Sequence, residues 1–155
     1  MKLIDYFRQT EVRTEMLILG EFRHTIDQAN RLTVPAKYRE EIGADAVLFR
    51  APEGCLFLYS SAEFEKIAES VRNGRSGIKN RDRIRNFFSD VAGVTVDRTG
   101  RFIIPVDYLA AASLKGDVVL LGCANHFEVW SSEEYDALMK EKESASDDDY
   151  PDVVF

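Results

Sequence analysis

The sequence predicts an α+β fold made of two related halves that bury one shared core. Three observations carry this expectation. A nine-position pattern occurs twice, seventy residues apart, as Asp27-Gln-Ala-Asn-Arg31-Leu-Thr-Val-Pro35 and Asp97-Arg-Thr-Gly-Arg101-Phe-Ile-Ile-Pro105. The echo continues outside it: Gly43-Ala-Asp-Ala-Val-Leu-Phe49 matches Lys115-Gly-Asp-Val-Val-Leu-Leu121, and Leu56-Phe-Leu-Tyr-Ser-Ser61 matches Phe127-Glu-Val-Trp-Ser-Ser132, with offsets drifting only from 70 to 72. Strand-like runs then alternate with helical spacing in the same order in both halves. Solenoids need at least three stacked units, so two units imply a pseudo-symmetric pair. A chain of 155 residues with 45% apolar content can supply one such core.

Taken in order, residues 1–15 are charged and without a clean period, which predicts a poorly ordered arm or a short helix gained on assembly. Phe22–Ile26 alternates apolar with polar and leads as a strand into Asp27. After Arg31, Leu-Thr-Val forms a second strand, and Pro35 opens a short helix from Ala36 to Ile42 that Gly43 closes. The second half repeats this, with Pro105 opening and Gly116 ending a helix through Leu109 and Leu114. Paired strands follow at 46–50 with 56–59 and at 117–122 with 126–130. Capping boxes Ser60-Ser-Ala-Glu63 and Ser131-Ser-Glu-Glu134 start a helix after each pair. The first places Phe64, Ile67, Ala68 and Val71 at helical spacing and ends near Asn73-Gly74. A second from about Lys79 presents Ile84, Phe87, Phe88 and Val91, and the last weakens after Met139. The expected division is an arm (1–15), a first unit with its connecting helices (16–89), a second unit (90–140) and an acidic, disordered tail (141–155).

The formal net charge of -7 resides in the C-terminal residues 133–155. Residues 20–132 hold fifteen acids and fifteen bases, whereas 133–155 hold nine acids against two lysines. A low overall charge therefore says nothing against a basic face on the body. Met16-Leu-Ile-Leu19 is far too short to span a bilayer and nothing near the start resembles a signal peptide, so a cytoplasmic protein is expected.

The chemistry concentrates in the Asp-x3-Arg loops. Asp27 and Asp97 can each cap a turn and hold the following Arg in one rotamer. Gly100 and Asn30 precede the two arginines and are the residue types that tolerate a left-handed backbone. Arg31 and Arg101, so ordered, can make bidentate contacts to guanine or phosphate. Arg98 adds a second cation to the second loop, while Gln28 and Asn30 give the first loop polar groups without charge. One such hairpin would most simply pair its own Asp and Arg. Two copies with the Arg in the same phase point outward, because a turn needs no particular residue after the Gly or Asn.

With these residues in view, Gly20-Glu-Phe-Arg-His-Thr-Ile-Asp27 and Arg31-Leu-Thr-Val-Pro-Ala-Lys-Tyr-Arg39 resemble the first half of the MraZ family. Val96 through Pro105, with Phe127-Glu-Val-Trp-Ser131, resembles its second half, and the match covers about residues 16–138. The resemblance implies two swapped-hairpin, AbrB-like β units forming one pseudo-symmetric barrel with flanking short helices. It implies a ring-shaped homo-oligomer, nucleoid-associated. It further implies a DNA-binding repressor of the division and cell-wall gene cluster, acting on short direct repeats in double-stranded promoter DNA. The family's Asp-x3-Arg motif maps onto Asp27 with Arg31 and Asp97 with Arg101. Where the family usually has a basic residue and a Gly inside the first loop, this chain has Gln28-Ala29-Asn30.

Other features read more plainly. Residues 72–85 hold six bases and one acid, expected as a solvated helix face rather than a phosphate track. Cys55 and Cys123 match no metal or redox spacing and read as buried, inert thiols; His24 and His126 have no metal-ligand partner and read as strand residues. Tyr59 and Trp130 occupy equivalent core positions. No nucleophile–base pair, Gly-rich phosphate loop or metal cluster emerges, so neither an enzyme nor a cofactor is expected. The rival is an AbrB-like antitoxin whose acidic tail binds a toxin; such chains generally carry one unit and dimerise.

Overall fold

The computed structural model describes residues 16–74, 77–144 and 151. The expected arm at 1–15 and most of the acidic tail lie outside the described residues. Among the described residues there are eight strands: β1 (Ile18–Thr25), β2 (Arg31–Thr33), β3 (Asp45–Arg50), β4 (Leu56–Ser60), β5 (Val91–Thr95), β6 (Arg101–Ile103), β7 (Asp117–Ala124) and β8 (Phe127–Ser131). Five α-helices join them: α1 (Arg39–Ile42, entered through a 3-10 turn at Ala36–Tyr38), α2 (Ser61–Arg72), α3 (Ile78–Ser89), α4 (Val106–Ala111) and α5 (Ser132–Lys142).

Six strands form one antiparallel sheet in the order β1-β7-β8-β4-β3-β5, and β2 pairs with β6 in a separate ribbon. The order is a palindrome once the halves are matched, β1 with β5, β3 with β7 and β4 with β8. The first strand of each half lies on the third strand of the other, Phe22 opposite Leu120 and Ala92 opposite Leu48. The halves are thus interleaved, as the duplicated pattern requires. Hydrogen bonding does not close the sheet into the expected barrel. β2 and β6 are three residues long and pair with each other, which leaves β1 and β5 as free edges.

Alternation along each strand sorts the two faces. Leu48, Leu56, Leu58, Val118, Leu120, Phe127 and Val129 face inward with Leu32, Val34, Phe102 and Ile104 of the ribbon, all at most 1% exposed. Val119, Trp130, Cys55 and Phe57 face the other side, where α5 adds Tyr135 and Met139. Phe87 of α3 stacks on Phe64 of α2 at 6.1 Å and tilts against Phe49 at 5.2 Å. Tyr38 ties α1 to β1 through a two-way bond, its hydroxyl accepting from Leu19 N–H at 3.2 Å and donating to Leu19 C=O at 2.9 Å. Gly122 is needed where β7 meets β1, because a Cβ there would lie 2.7 Å from the backbone of Ile18 and Leu19.

The capping serines start α2 and α5 as expected: Ser60 Oγ accepts from Glu63 N–H and Ser131 Oγ from Glu134 N–H. Several boundaries differ: β1 begins at Ile18 rather than Phe22, and α5 continues through Lys142 into the stretch expected as disordered tail. Val91 is the first residue of β5 rather than part of the α3 face. The helix after Pro105 stops at Ala111, five residues short of Gly116. Ser113 adopts φ 53°, and the bonds Leu114 N–H to Leu109 C=O and Ser113 N–H to Ala110 C=O make a Schellman stop without glycine.

Candidate nucleic-acid interface

Each Asp-x3-Arg loop is folded around its own carboxylate. Asp27 Oδ1 accepts from the backbone N–H of Ala29 and of Arg31, both at 2.9 Å, while Oδ2 accepts from Arg31 Nε at 2.8 Å. Asp97 Oδ1 accepts from Thr99 N–H at 2.9 Å, Arg101 N–H at 3.0 Å and the Thr99 hydroxyl at 2.7 Å. Arg101 Nε in turn donates to Thr99 Oγ1 at 2.8 Å and lies 3.4 Å from Asp97 Oδ2. Asn30 and Gly100 take the left-handed backbone, at φ 60° and 83°. A side chain at position 100 would also overlap the Arg39 guanidinium, which lies across this glycine and donates to Val34 C=O at 3.2 Å.

The ribbon brings the two arginines together. In its register Arg31 faces Ile103, Leu32 faces Phe102 and Thr33 faces Arg101. Gly100 C=O and Asn30 C=O extend the ladder by accepting from Val34 and Ile104 N–H. With Leu32 and Phe102 buried, Arg31, Thr33, Arg101 and Ile103 share the opposite face. The arginines are diagonal neighbours, about 7–8 Å apart by sheet geometry. Their side chains are 35% and 39% exposed. The bonds described hold each guanidinium through Nε, which leaves the Nη edge available for bidentate recognition of a planar or anionic acceptor. Arg98 and Gln28 are exposed at the loop tips, and Asn30 is half-buried.

The aspartates give the loops their pH limits. Backbone donation from Arg101, then the Thr99 hydroxyl, pulls Asp97 down to about 2. Backbone donation from Arg31 is also the main cause lowering Asp27. A depressed carboxylate stabilises the folded loop above its unfolded value of 3.8 and loses that contribution as pH falls through the folded value. The loops are therefore fully formed at neutral pH. The amide resonances of Thr99 and Arg101 should stay unchanged from pH 8 to 5 and move together only as the pH falls below about 4 toward the folded value of about 2.

The structure thus brings Arg31 and Arg101 onto one ribbon face, leaves the loop tips bearing Gln28, Asn30 and Arg98 at the two ends of the antiparallel ribbon, and adds Arg39, whose sequence signal was its place at the end of Pro35-Ala-Lys-Tyr-Arg39. The bases Lys79, Arg81, Arg83 and Arg85 are exposed on α3, with Arg85 paired to Asp82 at 2.9 Å. Tyr59 and Trp130 are core residues at 8% and 7% exposure. Cys55 is buried and its thiol is pushed up by desolvation. Cys123 departs from the expectation: it is only half-buried, and it lies with His126 and Glu128 in a group whose ligand atoms are within 4.8 Å of one another. His126 sits in the β7–β8 turn and not in a strand.

These features define an internally duplicated α+β protein with two aspartate-braced arginines on one exposed face of a short ribbon. A family described as "MraZ protein, putative antitoxin-like" matches twice, over residues 17–86 and 87–153. Proteins named "Transcriptional regulator MraZ" are 35% identical in Syntrophomonas wolfei (77% of this chain, 84% of the relative) and 34% identical in Micrococcus luteus (89% and 97%). Another so named in Ligilactobacillus salivarius is 36% identical, over 85% of this chain and 93% of the relative. The chain belongs to the MraZ family, a family of transcriptional regulators and not of enzymes.

Proposed function

We propose that this chain is a transcriptional regulator that binds double-stranded promoter DNA through the β2–β6 ribbon. The observation that carries the reading is the pair of aspartate-braced arginines, Arg31 and Arg101, on one exposed ribbon face. A two-stranded ribbon fits the B-DNA major groove, and arginine is the side chain suited to guanine O6 and N7. Arg98, Asn30 and Gln28 at the loop tips flank the arginines as backbone or base contacts. Asp27, Asp97 and Gly100 order the loops and do not touch DNA.

On the same reading, the halves are swapped-hairpin, AbrB-like units around one barrel-like core, and several copies form a ring. That ring represses transcription from short direct repeats upstream of its own operon, in the cytoplasm and nucleoid. The interleaved strand order supports the swap. Oligomerisation is supported by the free edge of β1, where Met16, Leu17 and Leu19 are 48%, 59% and 55% exposed. One ribbon offers few base contacts, so linking several on one assembly raises affinity through effective concentration. Among the described residues no helix is long and apolar enough to cross a membrane.

A gel shift with the DNA upstream of the protein's own gene tests the reading. A complex should form on the native repeats and disappear when they are scrambled at constant length; equal retention of both sequences refutes it. The assembly has its own check. Leu17→Asp with Leu19→Asp should lower the mass measured by light scattering and weaken repeat binding at least tenfold, while unchanged mass would move the subunit contact elsewhere. The antitoxin reading has one specific observation in its favour, the wording of the family description. Capture of a toxin through residues 141–155 would establish it.

A further inference from the structure

We propose that Cys123, His126 and Glu128 form a zinc-type site on the β7–β8 hairpin, with one divalent ion bound per chain. The three donors come from a Cys-x2-His-x-Glu run folded over one turn: Cys123 N–H donates to His126 C=O at 2.9 Å, and strand alternation puts the Cys123 and Glu128 side chains on one face, where the His126 ring lies beside them. Their ligand atoms are within 4.8 Å of one another, with His126 Nε2 4.0 Å from Glu128 Oε2. Thiolate, imidazole and carboxylate around a tetrahedral Zn2+ would stand roughly 3.4–3.6 Å apart, given metal–ligand bonds of about 2.0–2.3 Å. Closing on the ion thus takes about an ångström of side-chain movement.

The surroundings hold these groups as ligands. His126 Nδ1 lies 2.7 Å from Asn125 Oδ1. That oxygen only accepts, so Nδ1 carries the hydrogen and Nε2 presents a lone pair. Nε2 is buried without any hydrogen-bond partner, a cost that a bound cation removes. Phe57 and Tyr59 clamp the ring at 4.8 and 4.9 Å between centroids. Trp130 Nε1 donates to Glu128 Oε1 at 2.9 Å, which turns Oε2 toward the histidine. This is the outer-shell support that metal-ligating His and Glu require. The thiol of Cys123 binds with loss of its proton to solvent as the Sγ–metal bond forms. A water completes the fourth position. Cys55 and Phe57 stand where the first half would need His126 and Glu128, so the site is not duplicated.

The test uses the full chain, freed of metal with a chelator and titrated with Zn2+ or Co2+ alone, without DNA. Calorimetry should give one Zn2+ per chain. Co2+ should give the visible bands of tetrahedral cobalt with a thiolate charge-transfer band. Both bands should vanish in Cys123→Ser and in His126→Gln, with folding checked by circular dichroism, and persist in Cys55→Ser. Asn125→Ala should weaken Zn2+ binding about 10–100-fold. Binding that lacks the thiolate band, survives Cys123→Ser, or exceeds one ion per chain belongs to the acidic C-terminal residues and overturns the site.

Discussion

An Arg31→Ala/Arg101→Ala double variant loses specific DNA binding and keeps its fold. The expectation follows from how the loops are built. Asp27 and Asp97 accept backbone N–H bonds independently of the arginine side chains, so the turns retain their shape when the guanidinium groups are removed. What disappears is the Nη edge. A bidentate contact to guanine is worth about 1–3 kcal/mol, so losing both costs roughly 30-fold to beyond 10,000-fold in affinity per engaged chain. If one arginine grips only phosphate, its single variant should instead weaken all sequences alike and lower the salt slope by about 0.9. The lysine replacements sharpen the distinction. Lysine restores charge but has neither Nε for the aspartate nor a planar fork, so salt-dependent binding should return without sequence preference. Fluorescence anisotropy on native and scrambled repeats reads all of these, and unchanged promoter occupancy by the double alanine variant would defeat the proposed interface.

Much of this site was legible in the sequence because its determinants are local. Asp, a left-handed Asn or Gly, and Arg lie within five positions, and the hydrogen bonds that order the loop run between them. The capping serines were legible for the same reason. The ribbon register was not: β2 and β6 are seventy residues apart, and only their pairing shows that Arg31 and Arg101 share a face. Leu32 and Phe102, read simply as strand residues, prove to be the pair that sets this orientation. The stop at Ser113 was missed because a glycine three residues later looked like the terminator, whereas the backbone turned left-handed at a serine. Cys123, His126 and Glu128 match no paired Cys and His spacing, since the grouping depends on a hairpin that folds the thiol back beside the ring and the carboxylate.

Phe102→Ala should be the most destabilising single change in the ribbon, by about 3–5 kcal/mol. Phe102 is 1% exposed, lies opposite Leu32 at 0%, and belongs to the cluster that includes Leu120, Phe127 and Val129. The ribbon has few backbone bonds, with three residues in each strand. Its hold on the sheet therefore rests on four apolar side chains, Leu32, Val34, Phe102 and Ile104, and removing the largest leaves a void that the short strands cannot close. Against a typical domain stability of about 5–15 kcal/mol, the loss should lower the melting temperature by roughly 6–20 °C for a chain of this size, measured at fixed protein concentration. The same variant separates packing from recognition. At low temperature, where it remains folded, both loops keep their aspartate bonds, so any fall in DNA affinity reports the ribbon's altered seat on the sheet. A loss of stability below about 1 kcal/mol would mean that the ribbon is held by something other than its buried face, and the diagonal placement of the two arginines would then lack its physical cause.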